Sequence, residues 1–151
     1  MIHMQQYFKR REPILLGMLK NDIMENKLKI KFCKHIPFKG FYAIMLFGFL
    51  IIRKEYKDRQ ISQSVINHEN IHFQQALDFV GGVEWLKWIG FILFYIWYIL
   101  EWLIRCVISI FNSSRAYRSI SFEQEAYDNE YNDNYMRNRF SWLKYLFKCK
   151  Y

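Results

Sequence analysis

The sequence predicts an α+β fold, mainly helical, with a short β-sheet or hairpin ahead of the helix that carries its most informative motif. Three observations lead there. Leu28, Ile30 and Phe32 alternate with Lys29 and Lys31, the period of a strand. Val65, Ile66, Ile71, Phe73, Ala76, Leu77 and Val80 supply apolar positions at helical spacing. Residues 83–111 read as one long or broken apolar helix. At 151 residues, one domain is expected, with a core over 28–147 behind an N-terminal extension, 1–27.

The elements follow in order. Residues 1–27 are basic and partly helical. Residues 28–53 form strands, because Phe41 to Ile52 is rich in aromatic and β-branched residues and contains Gly48. A charged loop, 54–60, leads to a helix over 61–80. Ser62, Ser64 or Asp58 is placed to cap its start, and Gly81-Gly82 stops it. After the apolar helix, Asn112-Ser113-Ser114 opens a loop over 112–120. Ser121 with Gln124 three residues on is a capping-box pattern, so a helix is expected over 121–138. An aromatic-basic tail, 140–151, brings Phe140, Trp142, Leu143, Leu146 and Phe147 to the core or to a membrane.

Composition narrows the class. Hydrophobic residues make up 52% and aromatics 20%, enough for a real core and some apolar surface besides. The two prolines, six glycines and absence of low-complexity tracts argue against disorder. Cys33, Cys106 and Cys149 have no metal-like spacing and read as reduced thiols. Met1 to Arg11 lacks the apolar segment of a secretory signal. The net charge of +8 is spread along the chain with no nucleic-acid fold signature, so no nucleic-acid partner is expected. A membrane surface is the better use of that charge beside apolar segments.

The apolar segment starting at Trp88 sharpens the membrane question. Its uncharged part, to Leu100, is too short to span a bilayer unaided, since a spanning helix takes about 20 residues. The stretch to Phe111 is long enough if Glu101 and Arg105 pair along the helix. It can equally lie in the interface, with Trp85, Trp88, Tyr95, Trp97, Tyr98 and Trp102 as an aromatic belt, or be buried. Membrane association with a body on the reducing, cytoplasmic side is the expectation; a soluble cytoplasmic protein is the alternative.

The motif is His68-Glu69-Asn70-Ile71-His72, an H-E-x-x-H pattern. Residues four apart share one face of a helix, so both imidazoles can reach one Zn²⁺. Glu69, beside the first ligand, can take a proton from a zinc-activated water. A third protein ligand is needed, with a fourth position open. The best candidate is Glu123, in the first turn of the helix after Ser121. Glu123, Tyr127 and Glu130 share a face, whereas Glu125 points elsewhere. Read alone, those acids are also a solvated first turn favoured by the helix dipole.

H-E-x-x-H followed, after a long apolar insertion, by E-x-x-A resembles the gluzincin metallopeptidases. The integral-membrane branch is the most similar, and it includes the CAAX prenyl proteases, the heat-shock membrane peptidases and the β-lactam-sensor peptidases. Asn67 to Gln75 with Ser121 to Tyr127 also resembles small bacterial zincin-like proteins carrying H-E-x-x-H-x-x-Q and F-E-x-x-A-Y. The resemblance covers roughly residues 36–147, and its specific part is these two motifs. It implies a small zincin-like domain, one Zn²⁺ held by His68, His72 and Glu123, and Glu69 as general base. It also implies a strand within 41–53 beside the metal. The membrane families place an aspartate after the alanine, where Tyr127 stands here, which leaves the supporting hydrogen bonds open. Gln75 and Tyr127 are candidates for orienting a ligand or substrate; Tyr117 and Arg118 are left without a role.

The function expected is therefore zinc-dependent hydrolysis of peptide bonds in a peptide or protein substrate. The alternative is a zinc-binding, non-catalytic, membrane-associated interaction protein. Retention of Glu69 favours the first, because a structural site has no need of it and is more often closed by cysteines.

Overall fold

A computed structural model of the chain describes residues 28–109 and 111–147. The N-terminal extension, 1–27, and the last four residues of the tail lie outside the described residues. The architecture is α+β: a three-stranded mixed sheet, then a mainly helical remainder. The chain divides after Gln60 into two compact units.

The first unit holds β1 (Lys29–Cys33), β2 (Ala43–Leu46) and β3 (Phe49–Arg53), in the order β1-β3-β2. β2 and β3 form an antiparallel hairpin, with Ala43 opposite Ile52 and Leu46 opposite Phe49. Their two-residue turn has φ of 48° at Phe47 and 79° at Gly48. Positive φ at both positions matches the type I′ turn, whose twist suits paired strands. β1 runs parallel to β3, from Lys29 beside Phe49 to Cys33 beside Arg53. Ala43, Met45, Leu50 and Ile52 are buried while their neighbours are less so, the alternation of a sheet with one covered face. β1 departs from the expected pattern. The alternation marks the strand, yet Ile30 and Phe32 stay exposed on β1, whereas Ala43 and Met45 are buried on the other edge strand, β2. The charged loop contains a single 3₁₀ turn, Lys54–Tyr56, and Arg53 Nε donates to Glu55 at 3.0 Å.

The second unit begins with α1 (Gln63–Asp78). Ser62 occupies the N-cap, but its hydroxyl pairs with that of Ser64 at 2.7 Å instead of capping the backbone. Gly81 and Gly82, at φ of 64° and 77°, end the helix as expected, and the Gly82 N–H donates to Leu77 O at 2.9 Å. α2 (Lys87–Ile108) follows a short 3₁₀ turn. Its buried residues are Gly90, Phe91, Phe94 and Glu101; Ile92, Ile96, Ile99, Leu103 and Val107 are exposed. Gly90 lies against α1, where an added Cβ would come within 2.4 Å of the Ala76 carbonyl oxygen.

Three expectations need correction. Residues 112–120 are not a loop: α3 spans Ser113–Ser119, and the Asn112 side chain accepts from the Arg115 N–H at 3.0 Å. The Asn-Ser-Ser cluster is a helix start, which suits short polar side chains as well as a loop does. The next helix does not run to 138. α4 is Ser121–Asn129, and a turn separates it from α5 (Tyr135–Asn138). Asn129, Asn132 and Asn134 explain the break, since such side chains compete with helical hydrogen bonding. Asn129 Nδ2 donates to Glu125 O at 2.6 Å, and the Asn134 N–H donates to Asn132 Oδ1 at 3.1 Å. Nor does the capping box form: Gln124 Nε2 donates to Ser119 O at 2.8 Å, and a carboxylate from α2 serves the start of α4 instead. In the tail, Trp142 packs on Phe79, Phe122 and Trp97, whereas Phe140, Leu143 and Phe147 are exposed.

Candidate metal centre

α1 lies against α4 and α2, and α4 against α3. The first pairing brings the two motifs together. His68 and His72 sit one turn apart on the face of α1 that meets Glu123 in the first turn of α4. All three are buried, and one ligand atom from each lies within 4.8 Å of the others. His68 Nε2 and His72 Nε2 are 3.1 Å apart. His72 Nε2 lies 3.3 Å from Glu123 Oε1, and His68 Nε2 lies 3.6 Å from Glu123 Oε2. Tetrahedral zinc with bonds near 2.0–2.1 Å sets its ligand atoms about 3.3–3.4 Å apart. The spacings here, each histidine taken to its own Glu123 oxygen, are close to that size.

The other ends of the imidazoles are engaged. His68 Nδ1 lies 2.9 Å from Glu130 Oε2, and His72 Nδ1 lies 2.7 Å from Gln75 Oε1. Against these acceptors each Nδ1 carries the proton, which leaves Nε2 to face the triangle. Two ring lone pairs and a carboxylate then converge on one buried point, and a cation there relieves them. Glu123 Oε2, buried and without a hydrogen-bond partner, points to the same conclusion. Its sister Oε1 accepts from Tyr98 OH at 2.8 Å. The donor set, two imidazoles and a carboxylate, suits zinc.

The charge state of the metal-free site fits this picture. Burial disfavours a charged His68, but the carboxylates of Glu123 and Glu130, with Glu69 nearby, push its pKa up to about 10. Burial alone would raise the pKa of Glu123, but attraction to His72 and interactions with both imidazoles hold it far below the usual carboxylate range. A proton on His68 thus takes the place of the cation.

The remaining expected residues fall as follows. Glu69 is buried beside His68 and adds to the field that raises its pKa. Gln75 is fully buried on His72. The Tyr127 ring meets the His68 ring edge-on at 4.8 Å. Burial and the Glu123 carboxylate push the Tyr127 phenol well up, and that of Tyr117 likewise. Glu130, seven residues after Glu123, is the acceptor that holds the His68 ring at Nδ1. Its position on the face of Glu123 was the signal for it. Tyr98 on Glu123 carried no local signal, because its partner is 25 residues away on another helix.

Compared with protein-family models, curated proteins and solved structures, the chain finds no match in any of the three. A possible metal-binding site of H-E-x-x-H…E form is what the geometry establishes.

Proposed function

We propose that this chain is a zinc-dependent metallopeptidase. The observation that carries the reading is the buried His68–His72–Glu123 triangle with Glu69 one residue from its first corner. When bound there, Zn²⁺ supplies Lewis-acid activation of a water and of the scissile carbonyl. His68, His72 and Glu123 hold it. Glu130 and Gln75 fix the two imidazoles, and Tyr98 fixes Glu123. Glu69 acts as general base, taking the proton of the attacking water and delivering it to the leaving amine. A peptide or protein is the substrate.

The test is Glu69→Gln, assayed on a library of fluorogenic peptides together with metal content. The reading expects hydrolysis by wild type, its loss by a factor of about 10² or more in the variant, and zinc retained in both. Zinc binding without hydrolysis in wild type would leave the non-catalytic interaction protein as the account.

Membrane contact through α2 belongs to the same proposal. The segment Glu84–Ile108 is long and apolar enough to cross a membrane, and much of its apolar surface is exposed. The helix is about 33 Å long, close to the ~30 Å hydrocarbon core of a bilayer. Vesicle flotation checks this. The protein is expected to float with vesicles and to do so less after Ile96→Glu; recovery of all protein in the dense fraction would contradict it.

A further inference from the structure

Gln75 joins the metal site to a second buried cluster, and its two ends meet different chemistry. Its Nε2 donates to the Phe122 carbonyl and to Glu125 Oε2, each at 3.0 Å. Both partners are acceptors, so the amide is locked with Oε1 toward His72 Nδ1 at 2.7 Å. Turning the amide over would set its oxygen against two other oxygens. Facing that Oε1, His72 must donate from Nδ1, and the lone pair is left on Nε2.

Glu125 is itself held in place. Its Oε1 accepts from Arg139 Nε at 2.6 Å and from Tyr135 OH at 2.8 Å, and its Oε2 accepts from Arg139 Nη2 at 3.2 Å. Arg139 turns its other face to Asp78, with Nη1 and Nη2 donating at 3.0 and 2.7 Å. The side chains of Arg139 and Glu125 are 3% and 0% exposed. A guanidinium forked between two carboxylates is a rigid unit, and it fixes which way Glu125 points. An ion-pair cluster serving stability alone has no need of an amide aimed from Glu125 at a ring nitrogen of His72.

We propose that Arg139 and Glu125 are positioning residues for the metal: acting through Gln75, they hold His72 with its proton on Nδ1 and its Nε2 aimed at the ion. The inference rests on the zinc reading of the site. It separates the two histidines, since His68 is held by Glu130 directly.

The test is a double-mutant cycle in zinc affinity, read by competition with a chromophoric chelator at a temperature where circular dichroism shows each variant folded. Gln75→Leu and Arg139→Gln are each expected to weaken zinc binding about tenfold or more. Their combination is expected to be no weaker than Gln75→Leu alone, because Arg139 acts through Gln75. Arg139→Lys keeps the charge without the fork and takes the place of Arg139→Gln should the latter not fold. In zinc-loaded wild type, the His72 Nδ1–H is expected as a slowly exchanging proton by NMR. Affinity unchanged in the Arg139 variant with only a lowered Tm, additive losses in the cycle, or a fast-exchanging Nδ1–H would each overturn the relay while leaving the zinc site standing. A wild type that takes up no zinc would overturn both.

Discussion

Glu101 Oε2 accepts a hydrogen bond from Ser121 Oγ at 2.6 Å, and its Oε1 accepts from the Ser121 N–H at 2.9 Å. The carboxylate thus closes the start of α4, two residues before Glu123. It also pairs with Arg105 at 3.1 Å, whose guanidinium reaches the Leu146 carbonyl at the same distance. A helix start left without its acceptor, beside a half-buried arginine that loses one of its partners, is costly. Glu101→Ala is expected to lower stability by about 2 kcal/mol, read as a lower denaturant midpoint at constant m. A loss under about 0.5 kcal/mol would show that the start of α4 is served in some other way.

Glu130 holds His68 at Nδ1. Its removal frees the ring to rotate and removes the acceptor that makes Nε2 the more basic nitrogen. Glu130→Ala is expected to weaken zinc binding by roughly 10- to 100-fold, with Glu130→Gln between it and wild type because an amide oxygen still accepts. Chelator competition on the folded variants checks the order.

The metal-free site holds a proton on His68, which sets a pH dependence. The His68 pKa is raised from 6.5 to about 10 by the neighbouring carboxylates, despite burial. A raised pKa stabilises the metal-free fold fully below the unfolded value of 6.5, and that contribution is lost as pH rises through about 10. Zinc needs the same nitrogen bare. Binding between about pH 7 and 9 is therefore expected to release at least one proton per ion, and affinity is expected to rise by about tenfold per pH unit. Calorimetry in buffers of different ionisation enthalpy measures the release.

Gly90 marks the close approach of α2 to α1. A Cβ there would meet the Ala76 carbonyl oxygen at 2.4 Å, and a backbone oxygen cannot swing aside as a side chain can. Gly90→Ala is accordingly expected to destabilise by about 1–3 kcal/mol, although alanine is the better helix former. Thermal melting gives the sign directly.

The parts of this structure legible in the sequence are those whose partners lie within one or two turns. The pairing of His68 with His72, the stop at Gly81-Gly82 and the shared face of Glu123, Tyr127 and Glu130 all follow from helical geometry. Of the partners that cross between helices, Glu123 was legible only because zinc chemistry asks for a third ligand; the others were not. Ser121 and Gln124 have the spacing of a capping box, yet Glu101, 20 residues away, outcompetes it with a full charge. Arg139 sits between α5 and the tail with no pattern of its own, yet its guanidinium is buried between Asp78 and Glu125. Ile30 and Phe32 announce a strand, but periodicity does not say which strand is central. The asparagines at 129, 132 and 134 are visible in the sequence, but the helical face they interrupt is the stronger signal.

The most direct measurement is metal content by mass spectrometry on purified wild type, His72→Ala and Glu123→Ala. The account predicts about one zinc per chain in wild type and its loss, or a strong reduction, in both variants. Folded wild type that takes up no zinc when it is supplied, or Glu123→Ala that retains it in full, would contradict the three-ligand site.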